Sequence, residues 1–114
     1  MSVNYDLEER TAKFAEDNRD YCKRLPKTQS NIEYGRQLIC SSGSTAGNYI
    51  EANEALSKKD FYMRIKICKK ETKESRLWIR LSEPTHEQQK EKERLMNEAT
   101  ELLKIFSTIL KSSK

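Results

Sequence analysis

The residues that could carry out chemistry in this sequence are few, and their spacing matches no metal site or catalytic motif. The sequence has one histidine, His86, whereas a di-iron or di-manganese bundle needs two Glu-x-x-His pairs. This histidine and three widely separated cysteines lack the spacing of zinc ligands. Segment 43–47 has its serine in the wrong position for a nucleophile elbow, and no Lys of a phosphate-binding loop follows it. We therefore predict no metal, no cofactor and no enzymatic activity.

One set of charged residues does have a regular spacing. Its members recur at intervals of three, four or seven positions, which places them on one side of an α-helix. These six cations, which we call the basic stripe, are Lys59, Lys66, Lys69, Lys73, Arg76 and Arg80. Tyr62 lies on the same line. Such a line attracts phosphate backbones or an acidic protein surface. Because lysine dominates and aromatic residues are few, we expect any nucleic-acid contact to be with the backbone. A hydrated surface without a ligand is the alternative.

Four segments have the apolar periodicity of amphipathic helices, and no segment of useful length alternates like a half-buried strand. Between 59 and 81 the buried face is predicted to comprise Phe61, Ile65, Cys68, Thr72, Ser75 and Ile79. Helix starts are indicated by a capping residue followed three positions later by Glu, Asp or Gln. These pairs are Asp6 with Glu9, Ser30 with Glu33, Ser57 with Asp60, and Thr85 with Gln88. We predict helices at about 6–24, 30–56, 58–82 and 85–111.

Short connections between these helices predict antiparallel neighbours and therefore an all-α, up-down-up-down four-helix bundle. We expect residues 1–114 to form a single domain. Hydrophobic residues make up 35 % of the chain, which is below the roughly 45–50 % of typical globular proteins. This composition suits long amphipathic helices, or protomers that bury further surface against copies of themselves.

The charge distribution shows which segment carries the positive charge, and the cysteine content indicates the cellular compartment. Residues 58–80 hold nine Lys or Arg and three acidic residues, so the formal net charge of +4 comes entirely from this segment. An odd number of separated cysteines predicts free structural thiols and a reducing, cytoplasmic location. We expect no signal peptide and no membrane-spanning helix, because no stretch near 18 residues is continuously apolar.

The second helix contains an unusual run of small residues at 41–47. The run is either a loop that splits the helix or a place where another helix backbone comes close. We favour the close approach, because Gly43 and Gly47 share a face and the periodicity resumes after them. Beside them a polar network is predicted between the helices, because a buried polar stripe must be satisfied. Its members are Ser41, Ser44, Asn48 and Glu51, with Arg64 and Lys66 of the third helix as the expected partners.

The flank of the third helix opposite the basic stripe is a candidate subunit interface. It carries Ile67, Glu71, Glu74 and Trp78. A tryptophan outside the core stripe is a candidate anchor for self-association. The two glutamates could do acid–base work, but such pairs more often meet Lys or Arg of a neighbouring helix or subunit.

The order and spacing of residues along about 5–110 resemble a known family. The matching residues are Gln37, Leu38, Ser42, Ser44, Asn48, Glu51, Ser57, Asp60, Phe61, Lys69, Glu71, Glu74 and Trp78. The chain is similar to the small four-helix-bundle proteins first noted as products of intervening sequences in bacterial 23S ribosomal RNA genes. The resemblance implies a bundle that assembles into a ring, usually a homopentamer, and it implies no enzyme activity. A similar bundle is the accessory subunit of diversity-generating retroelements, where a basic pentameric barrel contacts a reverse transcriptase and nucleic acid.

Two functional hypotheses follow. In the first, the protein is a non-enzymatic homo-oligomer whose basic stripes combine into a surface that binds RNA, DNA or an acidic partner. In the second, it is a pure protein–protein interaction module, and the stripe pairs with acidic residues of another subunit or protein.

Overall fold

The structure, a computed structural model, describes residues 3–113, with side chains from Leu7 onward. It contains four long helices: α1 (Val3–Arg24), α2 (Gln29–Asn53), α3 (Lys58–Leu81) and α4 (Gln89–Lys111). A 3-10 turn, His86–Gln88, precedes α4. Over the described residues there is no β-strand. The protein is therefore an all-α, four-helix bundle, and its helices contact one another in the order α1–α2–α3–α4, with a smaller contact between α4 and α1.

The helix ends follow local capping chemistry, with some shifts from the predicted positions. Ser57 caps α3 as expected, because its hydroxyl accepts the Asp60 N–H at 3.1 Å. At α2 the predicted Ser30 cap is wrong, since Thr28 caps the helix by accepting the Asn31 N–H at 3.2 Å. This helix also ends at Asn53 rather than near residue 56. The predicted Asp6 cap is also wrong, because α1 already begins at Val3 and includes Asp6.

The apolar stripes of the four helices meet in one core, as their periodicity predicts. On α1 the buried positions recur every three or four residues, at Leu7, Thr11, Phe14, Asn18 and Tyr21. On α3 Ile65, Cys68, Thr72, Ser75 and Ile79 are buried, and Phe61 packs on the core edge. On α4 the buried residues are Leu95, Ala99, Leu102 and Phe106. The largest fully buried side chain is Tyr49 of α2, whose ring centroid lies 6.4 Å from that of Phe106.

Small hydroxyl side chains fill the contact between α2 and α3. The Ser41 and Ser75 hydroxyls lie 2.7 Å apart, and those of Thr45 and Thr72 lie 3.2 Å apart, all of them buried. The Cys68 thiol donates to the Thr45 carbonyl at 3.6 Å. Because these side chains are short and hydrogen-bonded, the two helices pack closely without leaving buried polar atoms unsatisfied along this contact.

The small-residue segment 41–47 does not break α2, which is continuous through it. The predicted role of the two glycines, however, is wrong. Gly43 and Gly47 are exposed, and a Cβ added at either would meet no atom within 4 Å. Ser41 and Thr45 instead occupy the close contact with α3. The glycines therefore lie on the outer face of α2, rotated away from that neighbour.

The two connections at one end of the bundle are fastened to each other. The Asn31 side-chain amide donates to the carbonyls of Pro26 and Glu83 at 2.9 Å each, and its carbonyl oxygen accepts the Glu83 N–H at 2.8 Å. Beside it the buried hydroxyls of Tyr21 and Ser82 lie 2.7 Å apart. These bonds fix the end of α3 relative to α1 and α2.

None of the helices within residues 3–113 has the length and the apolar composition of a membrane-spanning segment.

Candidate functional site

The basic stripe lies on the surface of α3 along most of the helix. Lys59, Lys66, Lys73 and Arg80 are exposed, and Lys69 and Arg76 are half-buried. The stripe adjoins α4, because the Arg76 guanidinium donates to the Thr100 hydroxyl at 3.3 Å. The stripe flanks the buried face of α3, because each of its last five cations directly follows a buried residue of the core stripe.

The charges of the basic stripe are not neutralised by neighbouring carboxylates. Among the described residues, none of the six stripe cations forms an ion pair. Seven other described cations do, and they are Arg10, Lys13, Arg19, Arg36, Lys70, Arg94 and Lys104. The Arg94 guanidinium, for example, contacts Glu91 at 2.6 Å and Asp17 at 3.0 Å, and these bonds raise its pKa. The stripe thus presents unpaired positive charge to solvent.

Because α4 packs beside it, the basic stripe forms one wall of a groove between α3 and α4. We call the part near the C-terminus of α4 the polar half; it has a volume of about 570 Å³. Its lining comprises Lys69, Lys73, Arg76, Thr100, Leu103, Lys104, Ser107, Thr108 and Lys111. Among these described residues five are cations, three carry hydroxyls and none is acidic. Such a surface can donate many hydrogen bonds to an anion.

The neighbouring part, which we call the apolar half, lies towards the C-terminus of α3 and has a volume of about 580 Å³. It shares Lys73, Arg76 and Thr100 with the polar half, and adds Lys70, Glu74, Leu77, Arg80 and Met96. At the C-terminus of α3 the Lys92 ammonium of α4 donates to the carbonyls of Arg80 and Ser82 at 2.9 Å each. Lys59 and Lys66 lie on the stripe but do not line either half.

The α4 contribution to the groove is absent from the sequence-based prediction. Thr100, Lys104, Ser107 and Lys111 recur at intervals of three or four, so a matching line could be read on α4. Their spacing does not reveal that this line faces the basic stripe. The pairing of the two lines depends on how α3 and α4 are rotated against each other.

Part of the predicted polar network is brought together between α2 and α3, where Ser41 meets Ser75 and Asn48 meets Arg64. Arg64 Nη1 donates to Asn48 Oδ1 at 2.9 Å. The same amide donates through Nδ2 to the Ser44 carbonyl at 2.9 Å and to the Ser44 hydroxyl at 3.1 Å. Glu51 is exposed and takes no part in these bonds. Lys66, the other partner considered, lies on the opposite flank with the basic stripe.

The residues of the candidate subunit interface are not all on one side of α3, because Trp78 contacts α2 whereas Glu74 lines the apolar half of the α3–α4 groove. The Trp78 indole stacks on Tyr34 of α2, with ring centroids 6.0 Å apart and planes inclined by 24°. It also packs against the core cluster, so part of the ring is covered within the protomer. Ile67 and Glu71 are half-buried and Glu74 is exposed. Trp78 therefore has a packing role inside the chain, and its role in self-association stays a prediction.

The three thiols differ in their surroundings, and all are free. Burial raises the pKa of the Cys22 thiol to about 11 and that of the Cys68 thiol to about 12. Cys40 is exposed on α2. Among the described residues, no group of three or more His, Cys, Asp or Glu side chains is arranged to hold a metal ion.

Fold and site together define a small all-α protein, a four-helix bundle with a cationic groove between α3 and α4. The chain belongs to the 23S rRNA-intervening sequence protein family, whose sequence profile matches residues 4–108. This confirms the resemblance noted in the sequence. No curated protein matches the chain.

A solved structure supports the same assignment. It is the crystal structure of a protein of unknown function from the S23 ribosomal protein family of Bacteroides thetaiotaomicron, which is similar to this chain with a TM-score of 0.82 and 27 % sequence identity. The similarity covers 96 % of this chain and 99 % of that chain. The shared fold therefore spans essentially both proteins.

Proposed function

We propose that this protein is a non-enzymatic, homo-oligomeric helical bundle that binds the phosphate backbone of nucleic acid in the α3–α4 groove. The observation that carries this proposal is the unpaired charge of the basic stripe, facing the cations and hydroxyls of α4 across the polar half. Unpaired surface cations are hydrated and repel one another, so they do not stabilise the protomer. An anionic ligand would remove that repulsion and release the counterions of its own phosphates.

We also propose that the bundle is antiparallel, with up-down-up-down topology. The contacts between neighbouring helices support this, because residue numbers rise on one helix as they fall on the next. On α2 and α3 the bonded pairs are Ser41 with Ser75, Thr45 with Thr72 and Asn48 with Arg64. On α1 and α4 they are Arg10 with Glu98 and Asp17 with Arg94.

Self-association into a homopentameric ring in the cytoplasm is the assembly we propose, as the family resemblance implies. Exposed isoleucines on the outer face of α2 support a contact between copies, since Ile32, Ile39 and Ile50 are 59, 45 and 47 % exposed. A ring would carry one basic stripe per subunit, and the combined field would attract a polyanion more strongly than a single stripe.

The salt dependence of binding tests the phosphate contact. If all six stripe cations neutralise phosphates of a single strand, the logarithm of the association constant falls with a slope of about −4 against the logarithm of the salt concentration. The affinity then drops roughly 300-fold between about 50 and 200 mM salt. An affinity that does not change with salt would contradict the proposal.

The exposed apolar face of α2 also favours the second candidate, a pure protein–protein interaction module. Replacing Lys66, Lys69 and Lys73 by Glu separates the two functions. We expect this variant to lose binding to a fluorescent oligonucleotide while native mass spectrometry finds the assembly intact. Dissociation of the assembly would instead support the interaction module.

The matched control is the triple variant Lys23→Glu, Lys27→Glu and Lys90→Glu. These three lysines are exposed and, like the stripe cations, form no ion pair within the described part of the chain, but none lines the α3–α4 groove. The control changes net charge by the same amount, so it should retain most of the oligonucleotide affinity. Equal losses in both variants would show that net charge, and not the groove, governs binding.

A further inference from the structure

The two halves of the α3–α4 groove differ in chemistry along its length. The polar half offers hydroxyls and cations, whereas the apolar half exposes Leu77 beside Met96. Leu77 is 43 % exposed. It lies between two cations of the basic stripe on α3, four residues after Lys73 and three residues before Arg80. A surface that contacts only phosphates does not need an apolar floor. The exposed apolar atoms between these cations therefore indicate a ligand with both anionic and apolar parts.

A double-stranded nucleic acid does not have this combination on its outside. Its bases are stacked and paired in the interior, so a protein groove meets mainly sugars and phosphates. A single strand exposes the faces of its bases next to its phosphates. Those faces are largely apolar, so aliphatic side chains can bury surface against them without regard to sequence.

Tyr62 provides a second place for a base on the same flank of α3. Its ring is half-buried and meets the Phe61 ring edge-on, with centroids 5.2 Å apart and planes at 77°. Tyr62 and Leu77 are separated by about 22 Å along the helix, at 1.5 Å per residue. Most cations of the basic stripe lie between these two positions.

We propose that the α3–α4 groove selects single-stranded over double-stranded nucleic acid, binding phosphates on the basic stripe and bases on Leu77 and Met96. This rests on the proposed function, and it specifies the form of the ligand. Selectivity comes from the apolar half, because the cations attract the phosphates of both forms.

Fluorescence anisotropy at one salt concentration provides the test, with labelled oligothymidylate as the single strand and the same strand annealed to oligodeoxyadenylate as the duplex. We expect the single strand to bind about tenfold more tightly, a factor that the burial of about 55 Å² of apolar surface would supply. Leu77→Gln should remove most of that preference by weakening single-strand binding and leaving duplex binding within about twofold. Met96→Gln is a second variant with the same expected direction.

Leu81→Gln is the matched control. Leu81 is also on α3 and is 40 % exposed, close to the value for Leu77, but it does not line the groove. This variant should keep the preference for the single strand. Circular dichroism of each variant establishes that the helices are retained.

The outcomes separate this inference from the proposed function. If both probes bind equally, or if Leu77→Gln lowers both affinities alike, the single-strand preference is refuted while phosphate binding stands. If neither probe binds, the proposed function fails and this inference fails with it. Displacement of oligothymidylate by polyglutamate at an equal concentration of charge would also refute it, in favour of an acidic protein ligand.

Discussion

Replacing both exposed glycines of α2 by alanine should stabilise the bundle. Gly43 and Gly47 lie in the interior of a continuous helix, and a Cβ at either position would meet no atom within 4 Å. Glycine in a helix interior costs about 1 kcal/mol relative to alanine, because the unfolded chain loses more freedom on folding. With no clash to offset the gain, the double variant should raise the free energy of unfolding by about 2 kcal/mol.

The corresponding rise in melting temperature is roughly 8 °C for a domain of this length. Urea unfolding, followed by circular dichroism at several protein concentrations, measures the free energy and tests for a contribution from self-association. Ala12→Gly, at an exposed position inside α1, calibrates the scale, since it should lower the free energy of unfolding by about 1 kcal/mol.

A lower free energy of unfolding in the double variant would refute this reasoning. Light scattering then identifies the reason. A simultaneous fall in mass would mean that a second copy packs against the glycines, which are open to solvent in the protomer. An unchanged mass would mean that α2 does not tolerate the added methyl groups within the chain itself.

Two further predictions concern capping and thiols. Ser57→Ala should lower the free energy of unfolding by about 1 kcal/mol through loss of the α3 cap. Ser30→Ala removes no cap, only an exposed hydrogen bond from the Ser30 hydroxyl to the Glu83 carboxylate at 2.9 Å. It should therefore change the free energy of unfolding by less than about 0.5 kcal/mol in urea unfolding. At about pH 8, iodoacetamide should label the exposed Cys40 quickly and Cys22 and Cys68 slowly. Burial raises the pKa of Cys22 to about 11 and that of Cys68 to about 12, which keeps both thiols protonated. Mass spectrometry counts the labels. Rapid labelling of all three cysteines in the folded protein would contradict the burial of Cys22 and Cys68.

Much of the fold could be predicted from the sequence because helical periodicity is a local property. Residues three and four apart share a side of a helix whatever surrounds it. The buried positions of α1 and α3 follow from that spacing alone, as does the line of six cations on α3. The Ser57 cap is local in the same sense, since the bond closes within four residues. The continuity of α2 through 41–47 followed from the resumed periodicity after Gly47.

What only the tertiary structure decided is which surfaces meet. Periodicity places Gly43 on a face of α2, but the rotation of that helix against α3 brings Ser41 and Thr45 into contact and leaves the glycines outside. The same is true of the groove, because the spacing of Lys104 and Lys111 does not state that they face the basic stripe. Rotation about a helix axis is set by packing all four helices at once, and no single segment contains that information.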